Sequence, residues 1–233
     1  MRIYTLLLAF FFSCHLIQLN SQTNTIFRVP KIPFIVNGAE IENPLGGNWG
    51  NPIFSQIDLN NDGLKDLYIF DRTNNRSLTF INKNTNNPKT NYSYQYKYEA
   101  YFPKDITNFA LLRDYTGDSL KDIFAYTSGG LKVYKAIRKP DNTIEFVKAT
   151  DLLFAENFEN WGGMVNIWVS YTDMPAIADI DRDGDMDIMA ISLLDNKVSL
   201  YKSMVKEKNF PWIHLIINIK PCAGGNSACS TCH

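Results

Sequence analysis

The sequence predicts an all-β chain built as an array of four-stranded units. Three observations carry that expectation. A nine-residue aspartate-rich loop occurs three times, its first aspartates 56 and 65 residues apart. Each copy lies between short apolar, β-prone segments and is followed by two more strand-like segments. No stretch sustains the periodicity of an amphipathic helix.

Residues 1–21 read as a secretory signal peptide. Arg2 supplies the positive n-region, Tyr4 to Phe12 the apolar h-region, and Leu19-Asn20-Ser21 a cleavage site before Gln22. The apolar run is shorter than the roughly 20 residues that a membrane span needs. The expected chain is therefore exported, without a transmembrane span once the signal is removed. It would be extracellular or held at the cell surface, with the periplasm also open. A net charge of −1 gives no electrostatic basis for binding nucleic acid. Residues 22–51, rich in Asn, Pro and Gly, form a lead-in with room for one or two short strands.

The repeats begin at Pro52. Segments 53–57, 109–113 and 174–178 precede the loops, and segments 67–70, 123–126 and 188–191 follow them. All are apolar on both faces, as buried strands are. A third segment (78–83, 131–135, 198–202) alternates apolar and polar residues, the mark of a strand with one wet face. A fourth (92–98, 143–147, 212–217) closes each unit, its tyrosines in the first copy suiting an outer edge. The spacing is that of a four-stranded propeller blade with long loops. The expected blades are about 52–104, 105–170 and 171–219.

The loops carry the chemistry. Asp179 to Asp187 holds five carboxylates in nine residues, and charges this close repel strongly unless a cation neutralises them. Oxygen ligands at alternate positions around a turn glycine suit calcium, which takes six to eight of them in a tolerant geometry. The EF-hand is excluded, because position twelve is Ile69, Ala125 or Ala190 rather than a bidentate glutamate. The expected side-chain ligands are Asp58, Asn60, Asp62 and Asp66 in loop 1, and Asp179, Asp181, Asp183 and Asp187 in loop 3. Position seven, Leu64 or Asp185, would give only its backbone carbonyl. Loop 2 keeps Asp114, Asp118 and Asp122 but has Thr116 at position three, Ser119 in place of the glycine and Leu120 at position seven. About two to three calcium ions are expected. Outside the cytoplasm they would be structural, since loops with dissociation constants of about 0.1 to 1 mM stay largely filled there.

The motif Asp-x-Asp/Asn-x-Asp-Gly-x-x-Asp, set between two apolar strands and repeated at this spacing, resembles the FG-GAP/VCBS repeats. These are the blades of integrin-alpha-like β-propellers, and the likeness is to exported bacterial members. The resemblance covers about Pro52 to Ile219 and implies metal ions bracing the blade rims, with loops free to bind glycans or proteins. It implies no activity. A closed propeller needs about four to eight blades and three are visible, so missing blades or self-association are expected.

Residues 220–233 form a cysteine-rich tail. Cys229-Ser-Thr-Cys232-His233 matches the c-type haem attachment pattern, and a disulfide within Cys222, Cys229 and Cys232 is the competing use. No nucleophile elbow or phosphate-binding loop appears, so an enzyme is not expected. Trp49, Trp161 and Trp168 offer sugar-stacking faces or rim packing. The sequence therefore points to a secreted calcium-binding repeat protein for adhesion to a glycan or protein. A glycan-active enzyme or its accessory domain is one alternative, and a haem protein the other.

Overall fold

The computed structural model describes residues 33–87, 91–157, 163–191, 198–204 and 210–217. The signal peptide, Trp161, and the tail with Cys222, Cys229, Cys232 and His233 lie outside the described residues.

Residues up to Ile41 make one compact unit and residues from Glu42 another. The first contains a two-stranded antiparallel hairpin, β1 (Ile35–Val36) and β2 (Ala39–Glu40). Its turn is Asn37-Gly38, both in the left-handed region (φ 50° and 79°), which matches the twist of a two-residue hairpin.

The second unit is all-β and holds three sheets. The first sheet runs β3 (Pro52–Ile57), β4 (Asp66–Asp71), β5 (Arg76–Asn82) and β6 (Tyr92–Tyr94) in chain order. The second repeats that order with β7 (Ala110–Arg113), β8 (Asp122–Thr127), β9 (Gly130–Arg138) and β10 (Ile144–Thr150). The third contains β13 (Ala176–Ala178), β14 (Asp187–Ile191), β15 (Val198–Met204) and β16 (Phe210–Ile217), again antiparallel neighbours in chain order. A hairpin of β11 (Phe154–Asn157) and β12 (Met164–Asn166) extends this sheet, β11 lying parallel to β16. None of the sheets closes on itself.

The fourth segment of the first unit ends sooner than its alternating tyrosines suggest. The strand stops at Tyr94, and a 3₁₀ helix covers Tyr96–Tyr101. Gln95 makes the last bonds to β5: its N–H donates to Thr79 O at 2.9 Å, and the Thr79 hydroxyl donates to Gln95 O at 2.6 Å. Tyr98 then turns into the core, and Phe102 stacks on Tyr68 with ring centroids 4.2 Å apart.

One continuous apolar core runs through the three sheets. It takes Ile53, Ile57, Tyr68 and Phe70 from the first, Leu112, Ile123, Phe124 and Val133 from the second, and Ile177, Ile188 and Tyr201 from the third. Alternation along β3 explains which side chains enter: Ile53, Ser55 and Ile57 are buried while Phe54 and Gln56 are exposed. Polar bonds tie the edge strands together. Leu112 N donates to Ser55 Oγ at 3.4 Å, and Arg113 Nε donates to Ile177 O at 2.8 Å. The other face of the first sheet carries a small second core of Ile69, Leu78 and Phe80. Residues 43–49 cover it: the Asn43 amide bonds the backbone of Tyr92 and Tyr94, and Trp49 meets Phe54 and Phe80 edge-on.

Candidate metal centre

All three aspartate loops connect the first strand of a sheet to the second, joining β3 to β4, β7 to β8 and β13 to β14. They fold alike. The first aspartate accepts the N–H of position six: Gly63 to Asp58 (3.0 Å), Ser119 to Asp114 (2.8 Å) and Gly184 to Asp179 (3.0 Å). The fifth accepts the N–H of position seven: Leu64 to Asp62 (2.8 Å), Leu120 to Asp118 (2.9 Å) and Asp185 to Asp183 (3.0 Å).

The backbone follows one path in each copy. Position four is left-handed at Asn61, Gly117 and Arg182 (φ 63°, 74° and 68°), and so is position six at Gly63, Ser119 and Gly184 (φ 81°, 73° and 92°). Loop 2 therefore reaches the common conformation despite its divergent sequence, with a serine held where glycine is strain-free.

The ninth aspartate has a second task that the motif does not reveal. Asp66, Asp122 and Asp187 are buried, and one oxygen of each accepts the N–H of position two: Leu59 (2.8 Å), Tyr115 (2.8 Å) and Ile180 (3.0 Å). The other oxygen accepts an N–H from the third strand of the same sheet, at Asn82 (2.8 Å), Ala136 (2.7 Å) and Ser203 (2.9 Å). Each loop is thus pinned to a strand 14 to 16 residues further along. Desolvation raises the pKa of all three carboxyls, opposed by these backbone bonds.

Loop 3 gathers charge most tightly. Asp179, Asp181 and Asp187 bring one oxygen each within 4.8 Å of one another, the only such acidic triad among the described residues. At 4.8 Å two carboxylates repel by roughly 3 kcal/mol at an effective dielectric constant of about 20, somewhat less at exposed Asp181. Asp179 Oδ1 is buried and accepts no hydrogen bond among the described residues. The Asp185 oxygens are shielded from solvent, so its side chain turns inward although only its carbonyl was expected at the site. Burial raises the Asp185 pKa, and the charges of Asp183 and Asp187 beside it add to that.

No protein-family model, no curated protein and no solved structure matches this chain. The chemistry of the site therefore rests on its own residues. One of them is Lys202 on β15, whose Nζ lies 2.5 Å from Asp181 Oδ2 and 3.8 Å from Asp183 Oδ2. Lys135 on β9 stands at the matching place in the second sheet, 3.7 Å from Asp118. Lys83, at the end of the first copy's third segment, pairs with Glu42 instead. The signal was present in the sequence: each third segment ends in lysine, at 83, 135 and 202.

The other loops gather their ligands less completely. In loop 1 the Asn60 amide donates to Asp62 at 2.8 Å, and Leu64 is half-buried beside them. In loop 2 the Thr116 hydroxyl donates to Asp122 at 3.4 Å. Loop 3, with three carboxylates converging and buried oxygens of Asp179 and Asp185 that accept no hydrogen bond among the described residues, is the loop that could hold a metal ion.

Proposed function

We propose that the chain is an exported repeat protein of the FG-GAP/VCBS kind, in which calcium braces propeller-like blades and the surface serves adhesion to an extracellular glycan or protein. The observation that carries this reading is the shared loop: the same bonds and left-handed positions recur three times, with an acidic triad in the third. A cation drawn to that triad would tighten the connection between first and second strands and, through Asp187, the third. The ion's role is then to hold a sheet in shape rather than to activate a substrate. The bonds from β3 to β7 and from β7 to β13 support a blade-by-blade arrangement in which first strands are neighbours. Closure of such a ring would take further blades or a second copy.

Calcium titration of the purified mature chain tests the metal, and glycan and protein arrays with and without chelator test the binding role. Binding without turnover that is lost in EDTA is expected. An array signal accompanied by hydrolysis of the ligand would instead support a glycan-active enzyme.

A further inference from the structure

At the opposite end of β4 from loop 1, about 20 Å away by strand rise, the β4–β5 turn presents Arg72. The segments leading into three different sheets meet on it. Arg72 N donates to Asn51 O at 3.0 Å, ahead of β3. Its Nε donates to Asn108 O at 2.8 Å, ahead of β7, and its Nη2 to Thr172 O at 3.2 Å and Tyr171 O at 3.4 Å, ahead of β13.

The guanidinium is therefore fixed in place, yet its charge is not matched. Among the described residues no carboxylate lies within ion-pairing distance of Arg72, and Nη1 makes no hydrogen bond. The adjacent Asp71 is spent on the N–H groups of Gly50, Asn51 and Thr73 and on the Asn74 amide. Asp173, one residue beyond Thr172, lies beyond ion-pairing distance of Arg72, although its Oδ2 is buried and accepts no hydrogen bond among the described residues.

Arg72 lines an open cavity of about 320 Å³ with Asn51, Thr73, Asn108, Tyr171 and Thr172. The Thr172 hydroxyl is held by Ser170, but the side-chain polar groups of Asn51, Thr73, Asn108 and Tyr171 have no partner among the described residues. The Tyr171 ring is 63% exposed on the rim.

We propose that this cavity binds an acidic saccharide, with Arg72 taking the carboxylate of a uronic acid, the amides and Thr73 taking ring hydroxyls, and Tyr171 offering an apolar face. A permanently charged, immobilised guanidinium whose Nη1 is unengaged offers a carboxylate a charge-assisted hydrogen bond at a fixed position. Unengaged amides and hydroxyls around an exposed aromatic ring are the matching complement for a sugar. The inference rests on the extracellular-binding reading above and names its ligand class, but it uses none of the metal loops.

The test is calorimetric titration of the mature chain, in calcium-containing buffer, with a galacturonate trisaccharide and with its neutral galactose counterpart. The acidic sugar is expected to bind at least tenfold more tightly. Asn51→Asp adds a carboxylate beside Arg72 while leaving the backbone contacts in place, and it should weaken binding at least tenfold with the melting temperature kept. Arg72→Gln should abolish the preference. Equal binding of the two sugars, or undiminished binding by Asn51→Asp, overturns the proposal. Asn51→Asp also excludes a calcium bridge, which an added carboxylate would strengthen. A chain that binds no calcium but prefers galacturonate overturns the metal reading alone, and one that binds calcium without that preference overturns this inference alone.

Discussion

Lys202→Met is the perturbation that separates a cation site from a self-satisfied acidic loop. Lys202 approaches Asp181 to 2.5 Å with side chains 29% and 36% exposed. At that distance the Coulomb attraction runs from roughly 2 kcal/mol in water to roughly 7 kcal/mol at an effective dielectric constant of about 20. Solvent screening, side-chain ordering and desolvation reduce the net value to about 1–2 kcal/mol. Without calcium the variant should lose that much stability, melting about 2–8 °C lower at 2–4 °C per kcal/mol for a domain of this size. With saturating calcium the difference should close, because in the variant an incoming ion no longer displaces an ammonium group and the gain in affinity offsets the lost ion pair. Calorimetry should show calcium binding to the variant about five- to thirtyfold more tightly than to the wild type. Weaker or unchanged calcium affinity in Lys202→Met refutes the reasoning, since it would mean that Lys202 and the ion do not contend for the same oxygens.

Ser119→Gly relieves a left-handed serine (φ 73°) and should stabilise the protein by about 0.5–1 kcal/mol after the glycine's extra unfolded-state freedom is subtracted, seen as a higher melting temperature. Phe102→Ala removes a buried ring stacked on Tyr68 and lying 5.0 Å from Phe146, and should cost about 3–5 kcal/mol in denaturant unfolding. Asp105 is held down to about pKa 2 by the Tyr134 hydroxyl and then Lys132. Because its folded pKa lies below the unfolded value of 3.8, its contribution is complete above that value and is lost as pH falls toward 2. Asp105 is half exposed, so Asp105→Asn should cost no more than about 1 kcal/mol, and it should flatten the acid limb of the stability curve between those two pH values.

The loops were legible because their signal is local. Asp58, Asp114 and Asp179 each cap their own loop through bonds spanning three to five residues, and such short-range geometry is written in residue types and spacing. The strands on either side followed from apolar runs for the same reason. What the motif did not show depends on distant chain. Asp187 bonding Ser203, and Lys202 reaching back to Asp181, require the third strand to return beside the loop, which only the folded sheet arranges. The β11–β12 hairpin joins the third sheet by parallel pairing with β16, a contact across more than fifty residues that no local pattern marks. At Tyr96–Tyr101 the alternating tyrosines pointed to a strand, but the chain turns into a 3₁₀ helix directly after Gln95, the last residue bonded to β5. The Arg72 site was invisible for a related reason: four carbonyls from three separate connections define it, and a carbonyl has no sequence signature.

Binding of a calcium ion by the folded chain is the most direct test of the braced loop. With about 10 mM calcium and a dissociation constant of about 0.1 to 1 mM, one filled site stabilises the folded state by about 1.4–2.7 kcal/mol. Melting curves in calcium and in EDTA should then differ by about 3–11 °C, the calcium curve being the higher. Superimposable curves would contradict the calcium-braced loop outright.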